Sequence, residues 1–485
     1  MLIEVGIFQG KDSKTDGWQV VCEQEKIPCR LTDKPECPVM VFERFVPDWL
    51  EDFMANGGIA VVTDADPKLL KFSTDCVCEA SIEYANLTEL DSKIARVQSV
   101  VNVFDGSGLG KMTLHENRVL KYGIEPDVFP VFLFHSQGKG GCWYTGLPMT
   151  RLVTVLGDTL RSTTDLVGFS ERVISVDKYL IIKALRFMLI KAFEQRGLPY
   201  VHLWYYPENY QSAFAFRIDV DGIYGDNLGM ISKAALENDI TLTFYVNKML
   251  CESEEERLSE IDKSHEIGNH SGIHNLYTGF EDNVKNIIEC GEWLNKLEIK
   301  NGPWFVSPRG LWNYNLNKAL EATGYRYTSD FGYCIFGFPI YPYYKGQRMG
   351  VLQIPIDPFS TERAFNYAEE MNMEKPSQES IAEYFLKSID EQYSSNMPIF
   401  LYSHPQRFGP MSSYVFPKIK SKLENMNIWR TTLSGFSEWW TIRDKVCYRA
   451  EFDEQKNTVY IKGDMIPFIK VKAISRDGSV KIKIV

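Results

Sequence analysis

Residues 198–445 repeat one pattern, in which a short apolar or β-branched run is followed by a stretch with the apolar spacing of a helix. The strand-like runs include AFAFRIDVD, TLTFYVN and PIFLYSHP, and the helical spacing recurs near 227–238, 281–297, 315–323 and 377–393. Alternating strands and helices favour a parallel sheet covered by helices. At this length the pattern predicts an α/β fold, either a (β/α) barrel or a doubly wound sheet.

The flanking segments have different patterns. The first 80 residues alternate strand-like runs with a helical stretch at 47–58, which predicts a small open α/β sheet that later β-rich pieces complete or decorate. The last 40 residues alternate apolar and polar positions between turns, which predicts an antiparallel β appendage. We therefore expect an N-terminal accessory domain at 1–165, a connecting helix within 166–197, a barrel at 198–445 and the appendage at 446–485.

Composition narrows the classes of partner. The formal net charge is −11 and no basic run is present, which argues against nucleic acid. Neither a signal-peptide pattern nor a run of about 18 apolar residues is visible, so we expect no membrane insertion and a cytoplasmic location. The ten cysteines form no CxxC pair and are expected to be reduced thiols. A homo-oligomer is left open.

The stretch HEIGNHSGIH, residues 265–274, holds three of the seven histidines. His265 and Glu266 do not start an HExxH motif, because the residue four positions after His265 is Asn269. His270 and His274 do have i,i+4 spacing, which on a helix brings two imidazoles within reach of one metal ion. The alternative is a helix with two polar surface histidines.

The segment FRIDVDG, residues 216–222, carries two acids at the end of a strand-like run. Asp219 and Asp221 are therefore expected where an α/β strand meets its functional face. One carboxylate can bind a metal while the other acts as a base, because a nearby cation keeps both ionised. The alternative is an ordinary strand-to-helix loop in which an aspartate caps the helix.

Three more polar residues follow strand-like runs of the same array: Arg309 in SPRGLW, Asp357 in LQIPIDP and His404 in PIFLYSHP. Taken singly, they are compatible with a surface cation, a turn residue and a histidine that only ends a strand. Taken together, they are expected to converge, because the carboxyl ends of parallel strands meet on one face.

In this order the segments resemble the polysaccharide deacetylases, the nodulation-type carbohydrate esterase family four. RIDVDG is similar to the first family motif, usually TFDDG, with Val220 inserted between the two acids. EIGNHSGIH is similar to the second motif, SPRGLW to the arginine motif, and LYSH to the final Leu-x-x-His motif. The similarity extends from Phe216 to just beyond His404.

This resemblance implies a distorted (β/α) barrel with a bound divalent metal, zinc first and cobalt, nickel, manganese or iron as alternatives. It assigns Asp221, His270 and His274 as the metal ligands. It further assigns Asp219 as general base, held by Arg309, and His404 as general acid.

Other roles follow from the resemblance by position. The backbone N–H groups of Leu311 or Trp312 are expected to hold the developing oxyanion. The aspartate that orients the acid histidine is assigned to Asp357, with Asp330 as the second candidate.

The implied function is N-deacetylation of an N-acetylated amino sugar in a glycan or glycan precursor. The D-V-D spacing is similar to that of intracellular members, including allantoinase-like enzymes, so hydrolysis of a small amide, ureide or cyclic imide is an alternative. The third hypothesis is a carbohydrate-binding protein without catalytic activity. The N-terminal part loosely resembles glutamine-amidotransferase domains, but it lacks a nucleophile-elbow cysteine and a nucleotide fingerprint, so we predict no second active site.

Overall fold

The structure is a computed structural model. It describes residues 1–11, 13–66, 70, 76–86, 94–104, 108–114, 128–156, 159–163, 170–222, 225–300, 302–463, 465–476, 478 and 480–485. The expected boundary between 165 and 166 lies outside these residues. Among the helices described, none has the length and apolar character needed to cross a lipid bilayer.

The N-terminal part contains the strands β1 (Leu2–Ile3), β2 (Val5–Phe8), β3 (Cys29–Thr32), β4 (Val39–Glu43), β5 (Ile59–Thr63), β6 (Cys76–Asn86), β7 (Ile94–Phe104), β8 (Lys111–Leu114), β9 (Val128–Phe129), β10 (Leu133–Gln137), β11 (Gly140–Thr145), β12 (Thr159–Thr163) and β13 (Ser170–Ile174). Its helices are α1 (Asp16–Glu25), α2 (Leu50–Ala55) and α3 (Met149–Thr154).

Three sheets form from these strands. The largest has the order β10-β11-β5-β4-β2-β3, in which only β10 runs antiparallel to its neighbour. The predicted open α/β sheet is therefore present. The second sheet, β7-β6-β8-β9, is antiparallel, and β12 pairs with β13 as a hairpin.

The remaining helices are α4 (Lys178–Gln195), α5 (Asn227–Leu236), α6 (Lys248–Cys251), α7 (Glu255–Ile261), α8 (Phe280–Lys296), α9 (Tyr314–Ala322), α10 (Thr361–Glu370), α11 (Gln378–Ser394), α12 (Pro405–Phe408), α13 (Ser412–Leu423) and α14 (Leu433–Asp444), with 3-10 turns at Glu252–Glu254, Pro308–Gly310 and Gly409–Met411. The remaining strands are β14 (Tyr200–Leu203), β15 (Ser212–Val220), β16 (Leu242–Val246), β17 (Glu266–Asn269), β18 (Trp304–Phe305), β19 (Tyr327–Thr328), β20 (Tyr343–Tyr344), β21 (Gln347–Arg348), β22 (Leu352–Gln353), β23 (Ile399–Ser403), β24 (Ile428–Arg430), β25 (Tyr448–Asp453), β26 (Thr458–Gly463), β27 (Val471–Ile474) and β28 (Lys481–Ile484).

Eight of these strands form a curled parallel sheet in the order β22-β19-β18-β17-β16-β15-β23, with β24 also paired to β15. The strands β22 and β23 are the two ends of this strand order. The Asp357 N–H donates to the Phe400 carbonyl at 3.0 Å and so links the segment after β22 to β23. The mixed α/β class and the parallel sheet agree with the prediction. All carboxyl ends therefore lie at one edge.

The middle strand β15 is buried along its whole length, and its two faces differ. Phe216, Ile218 and Val220 pack among apolar residues of the helices, in the same cluster as residues of α5 and α13. Because strand side chains alternate, Arg217 and Asp219 project from the opposite face. This alternation directs two charged side chains away from the helices.

The C-terminal segment is not a separate antiparallel appendage, so that expectation is wrong. β25 and β26 form the predicted antiparallel hairpin, but β28 runs parallel to β26. The first strand of the chain, β1, pairs with β25, and β27 pairs with β14. Both β1 and β14 precede residue 204. The C-terminal strands therefore pair with strands that are distant in sequence.

A buried charged cluster joins α1 to the rest of the molecule. The Glu25 carboxylate accepts hydrogen bonds from Tyr200 at 2.9 Å and Tyr205 at 2.5 Å, and from the Arg186 guanidinium at 2.8 Å. Burial raises the pKa of Glu25, but the opposing charge of Arg186 and these hydrogen bonds lower it below its ordinary value. An ionised carboxylate of α1 thus connects the N-terminal part to α4 and to residues 200–205.

Candidate metal and catalytic centre

Asp221, His270 and His274 come together at the carboxyl edge of the parallel sheet. His270 Nε2 lies 3.0 Å and His274 Nε2 lies 3.1 Å from the same oxygen, Asp221 Oδ1. The three potential ligand atoms all lie within 4.8 Å of one another. Among the described residues this is the group that could hold a metal ion.

The two histidines do not lie on a helix, so that part of the prediction is wrong. His270 follows β17 directly, and the chain continues as a loop through His274 to the start of α8 at Phe280. Ser271 has φ +76°, which turns the chain sharply and brings His274 back toward Asp221. The i,i+4 spacing is therefore realised by a tight loop.

Buried asparagines hold this loop in place. Asn247 Nδ2 donates to the carbonyls of His270 at 3.1 Å and Ser271 at 2.9 Å. Asn269 Oδ1 accepts from the Ser271 N–H at 2.7 Å, while its Nδ2 donates to the Tyr325 hydroxyl at 2.6 Å. These bonds fix the backbone that carries both imidazoles.

The donor set fits a divalent cation. His270 Nδ1 is 2.7 Å from the Val306 carbonyl, which can accept its proton, and with a metal ion bound Nε2 would then turn its lone pair to that ion. Burial raises the pKa of Asp221, but hydrogen bonds from His270 and His274 and the charge of His404 lower it well below its ordinary value. One carboxylate oxygen and two imidazole nitrogens are a typical three-residue set for catalytic zinc.

His404 and Asp219 lie beside this group. His404 follows β23, and its Nε2 is 3.5 Å from Asp221 Oδ2. Its Nδ1 is buried and has no hydrogen-bond partner among the described residues. Asp219 is two residues before Asp221 on β15 and is only 5% exposed. The structure thus brings five sequence-predicted residues to one edge.

The guanidinium that pairs with Asp219 belongs to Arg217, not to Arg309. Arg217 Nε lies 2.9 Å from Asp219 Oδ1, and Nη2 donates to Oδ2 at 3.1 Å. Nη1 donates to the Ser329 carbonyl at 2.7 Å. Arg309 is exposed on a left-handed backbone position, φ 60°. The expectation that Arg309 holds Asp219 is therefore wrong, because a closer arginine on the same strand occupies that position.

Sequence reasoning missed Arg217, although a signal was present. Residues i and i+2 of a strand face the same side, so Arg217 and Asp219 had to be neighbours once 216–220 was read as a strand. The arginine is fully buried and its guanidinium carbon lies 5.1 Å from the Tyr402 ring centroid. A buried cation of this kind requires a partner, and Asp219 is that partner.

Asp357 and Asp330 are both buried in networks that join strands and helices. Asp357 Oδ1 accepts from the Tyr384 hydroxyl at 2.9 Å and the Phe359 N–H at 3.0 Å, and Ser388 donates to Oδ2. Asp330 accepts from the Ser307 N–H at 2.8 Å, and burial raises its pKa to about 6. The role of either residue in orienting His404 stays a prediction.

Two further groups lie near the edge. The Leu311 N–H donates to the Pro308 carbonyl at 3.3 Å, so it is already engaged in a turn, and Trp312 is 5% exposed beside Tyr333. Glu362, in the first turn of α10, was not identified from the sequence. Burial raises its pKa against the opposing charge of His404, and its Oε2 has no hydrogen-bond partner among the described residues.

His265 and Glu266 lie at the other end of β17. His265 Nδ1 accepts from the Leu242 N–H at 3.2 Å, and Glu266 accepts from Thr243 at 2.8 Å and Thr432 at 2.9 Å. Both residues precede or begin the strand, whereas His270 follows it. They therefore connect strands and take no part in the candidate metal centre.

Comparison with known proteins gives one family match. Residues 221–328 match the family model described as polysaccharide deacetylase. This segment starts at Asp221 and includes His270 and His274, but it ends before His404. No curated protein matches the chain.

Several solved structures are similar to the chain at low identity. The structure of PuuE allantoinase is 15% identical with a TM-score of 0.41, covering 49% of this chain and 92% of that chain. A probable polysaccharide deacetylase from Pseudomonas aeruginosa PAO1 is 15% identical with a TM-score of 0.40, covering 48% and 92%. Agd3, described as a carbohydrate deacetylase, is 9% identical with a TM-score of 0.41, covering 93% of this chain and 89% of that chain. The identities and TM-scores of these structures are low, so only the family match bears on function.

Proposed function

We propose that the chain is a metal-dependent N-deacetylase that hydrolyses the acetamide of an N-acetylated amino sugar. The observation that carries this proposal is the convergence of Asp221, His270 and His274 beside Asp219 and His404. The polysaccharide deacetylase match over residues 221–328 supports it. The reaction consumes water and yields acetate and a free amine.

Asp221, His270 and His274 would hold the cation, with zinc as the first choice for one carboxylate and two imidazoles. When bound, the cation supplies Lewis acidity, which polarises the amide carbonyl and makes a water molecule more acidic. The Val306 carbonyl keeps the His270 ring oriented by accepting from Nδ1 at 2.7 Å.

Asp219 acts as the general base. Its carboxylate takes the proton that the attacking water loses, while Arg217 fixes its orientation through the 2.9 and 3.1 Å contacts. His404, whose Nε2 lies 3.5 Å from Asp221 Oδ2, acts as the general acid. It donates a proton to the departing nitrogen, which would otherwise leave as an unstable amide anion. Each proton transfer contributes about 10²–10⁴-fold to the rate.

The test is acetate release from N-acetylglucosamine tetramer by the zinc-loaded full chain. Asp221→Ala and His270→Ala are expected to lose both the bound zinc, measured by elemental analysis, and the activity. Asp239→Ala is the matched control, because Asp239 is exposed and forms an ion pair with Lys420 on the surface. Full activity of the metal-free variants would refute the proposal. Ring opening of allantoin without acetate release would favour the small-ureide alternative.

A further inference from the structure

Two cysteines lie on either side of the turn that joins α1 to β3. Cys22 is in the last turn of α1, which ends at Glu25, and Cys29 is the first residue of β3. Lys26 has a left-handed backbone, φ 52°, and the Ile27 N–H donates to the Cys22 carbonyl at 3.3 Å. This cap reverses the chain directly after the helix, so the segment that carries Cys29 runs back beside Cys22.

The strand register places both thiols on the same face of the N-terminal sheet. Cys29 is opposite Val5 in the parallel pair of β3 and β2. Residues opposite each other on neighbouring strands point to the same face. Val5 is buried in one core cluster with Cys22 and Trp18 of α1, so this is the face that α1 covers. Because β3 ends the strand order, Cys29 lies at the edge of that face.

A hydrogen bond joins the two thiols and makes them unequal. It lowers the pKa of Cys29, and the positive charge of Lys26 lowers that pKa as well, against the effect of partial desolvation. The same hydrogen bond, together with burial, raises the pKa of Cys22 well above its ordinary value. Cys29 is therefore the thiol that ionises first, and the thiolate is the form that reacts with oxidants.

The two thiols also differ in access. Cys22 is 1% exposed, whereas Cys29 is exposed. Among the cysteines whose side chains the structure describes, Cys29 and Cys447 are the exposed ones. A small oxidant in solution therefore reaches Cys29 directly, and Cys22 can react only through Cys29. An accessible, easily ionised thiol beside a second thiol is the typical arrangement of a redox-sensitive pair.

We propose that Cys29 and Cys22 form a reversible redox site, in which a peroxide oxidises Cys29 and Cys22 then closes an intrachain disulfide. The Cys29 thiolate attacks one oxygen of hydrogen peroxide, the O–O bond breaks, hydroxide leaves, and a sulfenic acid forms. The Cys22 sulfur attacks the Cys29 sulfur, the S–O bond breaks, and its thiol proton leaves with the hydroxyl group as water. A dithiol reductant reverses the change by thiol–disulfide exchange. The site shares no residue with the Asp221 centre and does not depend on the function proposed for it.

The test is peptide mapping of the reduced full chain after treatment with hydrogen peroxide. The remaining thiols are alkylated under denaturing conditions before digestion. Trypsin cuts after Lys26, so a disulfide between Cys22 and Cys29 is detected by mass spectrometry as a linked pair of the peptides 15–26 and 27–30. This linked pair should be the first oxidation product, and dithiothreitol should release both peptides in the thiol form.

Cys29→Ser should slow the loss of the Cys22 thiol at least about tenfold, because the buried thiol then has no route to the oxidant. Cys22→Ser should stop the reaction at the Cys29 sulfenic acid, which dimedone traps. Cys447→Ser is the matched control and should behave like the wild type, because it removes the other exposed thiol among the described cysteines.

If the buried Cys22→Ser variant does not fold, Cys29→Ser alone decides the assignment, since position 29 is exposed. A disulfide from Cys29 to Cys447, a disulfide between two chains at Cys29, or equal loss of the Cys22 thiol in wild type and Cys29→Ser would overturn the proposal. Oxidation of other thiols without the linked pair of peptides 15–26 and 27–30 would overturn it as well.

Discussion

Arg217 and Asp219 stand two residues apart on β15 and meet through two contacts, 2.9 Å from Nε to Oδ1 and 3.1 Å from Nη2 to Oδ2. The pair is buried, and the third guanidinium nitrogen is bound to the Ser329 carbonyl. One hydrogen bond, from Nη2, and a second close charge contact, from Nε, together restrict the position of the carboxylate. The base proposed for the reaction is thereby held by its own strand.

Replacing Arg217 is expected to disturb the orientation of Asp219 without affecting metal binding. Arg217→Met leaves Asp219 buried without its partner and should lower the free energy of unfolding by about 3–5 kcal/mol. In the folded fraction, kcat for acetate release should fall about 100-fold with KM and zinc content nearly unchanged, because none of the metal ligands contacts Arg217. Arg217→Lys should recover part of kcat. Arg309→Met is the control, and an equal loss of kcat there would contradict the assignment.

Metal binding is expected to stabilise the native state. Zinc added to chelator-treated protein at 100 times its Kd should raise the free energy of unfolding by about 2.7 kcal/mol, since the ion binds the folded ligand set. The measurement is a thermal melt with and without zinc. His274→Ala should abolish the shift, whereas His135→Ala, on β10 of the other sheet, should leave it intact. An undiminished shift in His274→Ala would place the zinc elsewhere.

Asp357 is expected to matter for stability more than for catalysis. Asp357→Asn weakens bonds to Tyr384, Ser388 and the Phe359 N–H, and should lower the free energy of unfolding by about 1–3 kcal/mol. Denaturant unfolding measures this change, and kcat is compared at a temperature where the variant is fully folded. A kcat loss of tenfold or more in folded protein would instead support a role in orienting His404.

Lys178 provides a test of pH dependence. It is 1% exposed, its Nζ lies 3.5 Å from the Tyr333 ring centroid, and burial lowers its pKa to about 7. The unfolded chain has the ordinary lysine pKa of about 10.4, so between pH 7 and 10 it binds more protons than the native state. Stability should therefore rise with pH across this window, by at most about 1.4 kcal/mol per unit from this group.

Lys178→Met removes that contribution. The variant should be more stable than wild type at pH 7, and the difference should shrink as the pH is raised to 9. Urea unfolding at several pH values gives the slope of the free energy of unfolding against pH for the wild type and for the variant. The effects of other titrating groups cancel when the two slopes are compared. Parallel slopes for the two proteins would mean that Lys178 is charged in the native state.

The parallel sheet and the position of Asp219 and Asp221 could be predicted from the sequence because they depend on local periodicity. A run such as AFAFRIDVD is apolar on the face that meets the helices, and the observed strand Ser212–Val220 matches it. The acids follow where the strand ends. The convergence of His270 and His404 on Asp221 then follows from the common edge of parallel strands.

Features that depend on distant partners could not be predicted in this way. The spacing of His270 and His274 suits a helix. The segment before them is instead a strand, β17, because it pairs with β16 and β18, and the two histidines lie in the loop that follows. The C-terminal strands alternate like an antiparallel appendage, yet β14 and β1 supply two of their neighbours. Periodicity identifies a strand but not the strand beside it.

The pairing of β1 with β25 has a consequence for biosynthesis. Leu2 is opposite Glu451, so β1 pairs with a strand that is synthesised about 450 residues later. At ~5–20 residues per second, the ribosome takes roughly 20–90 seconds to reach that point. During this interval Ile3, fully covered in the finished molecule, lacks its strand neighbour Ala450. This sheet can therefore be completed only after β25 has been synthesised.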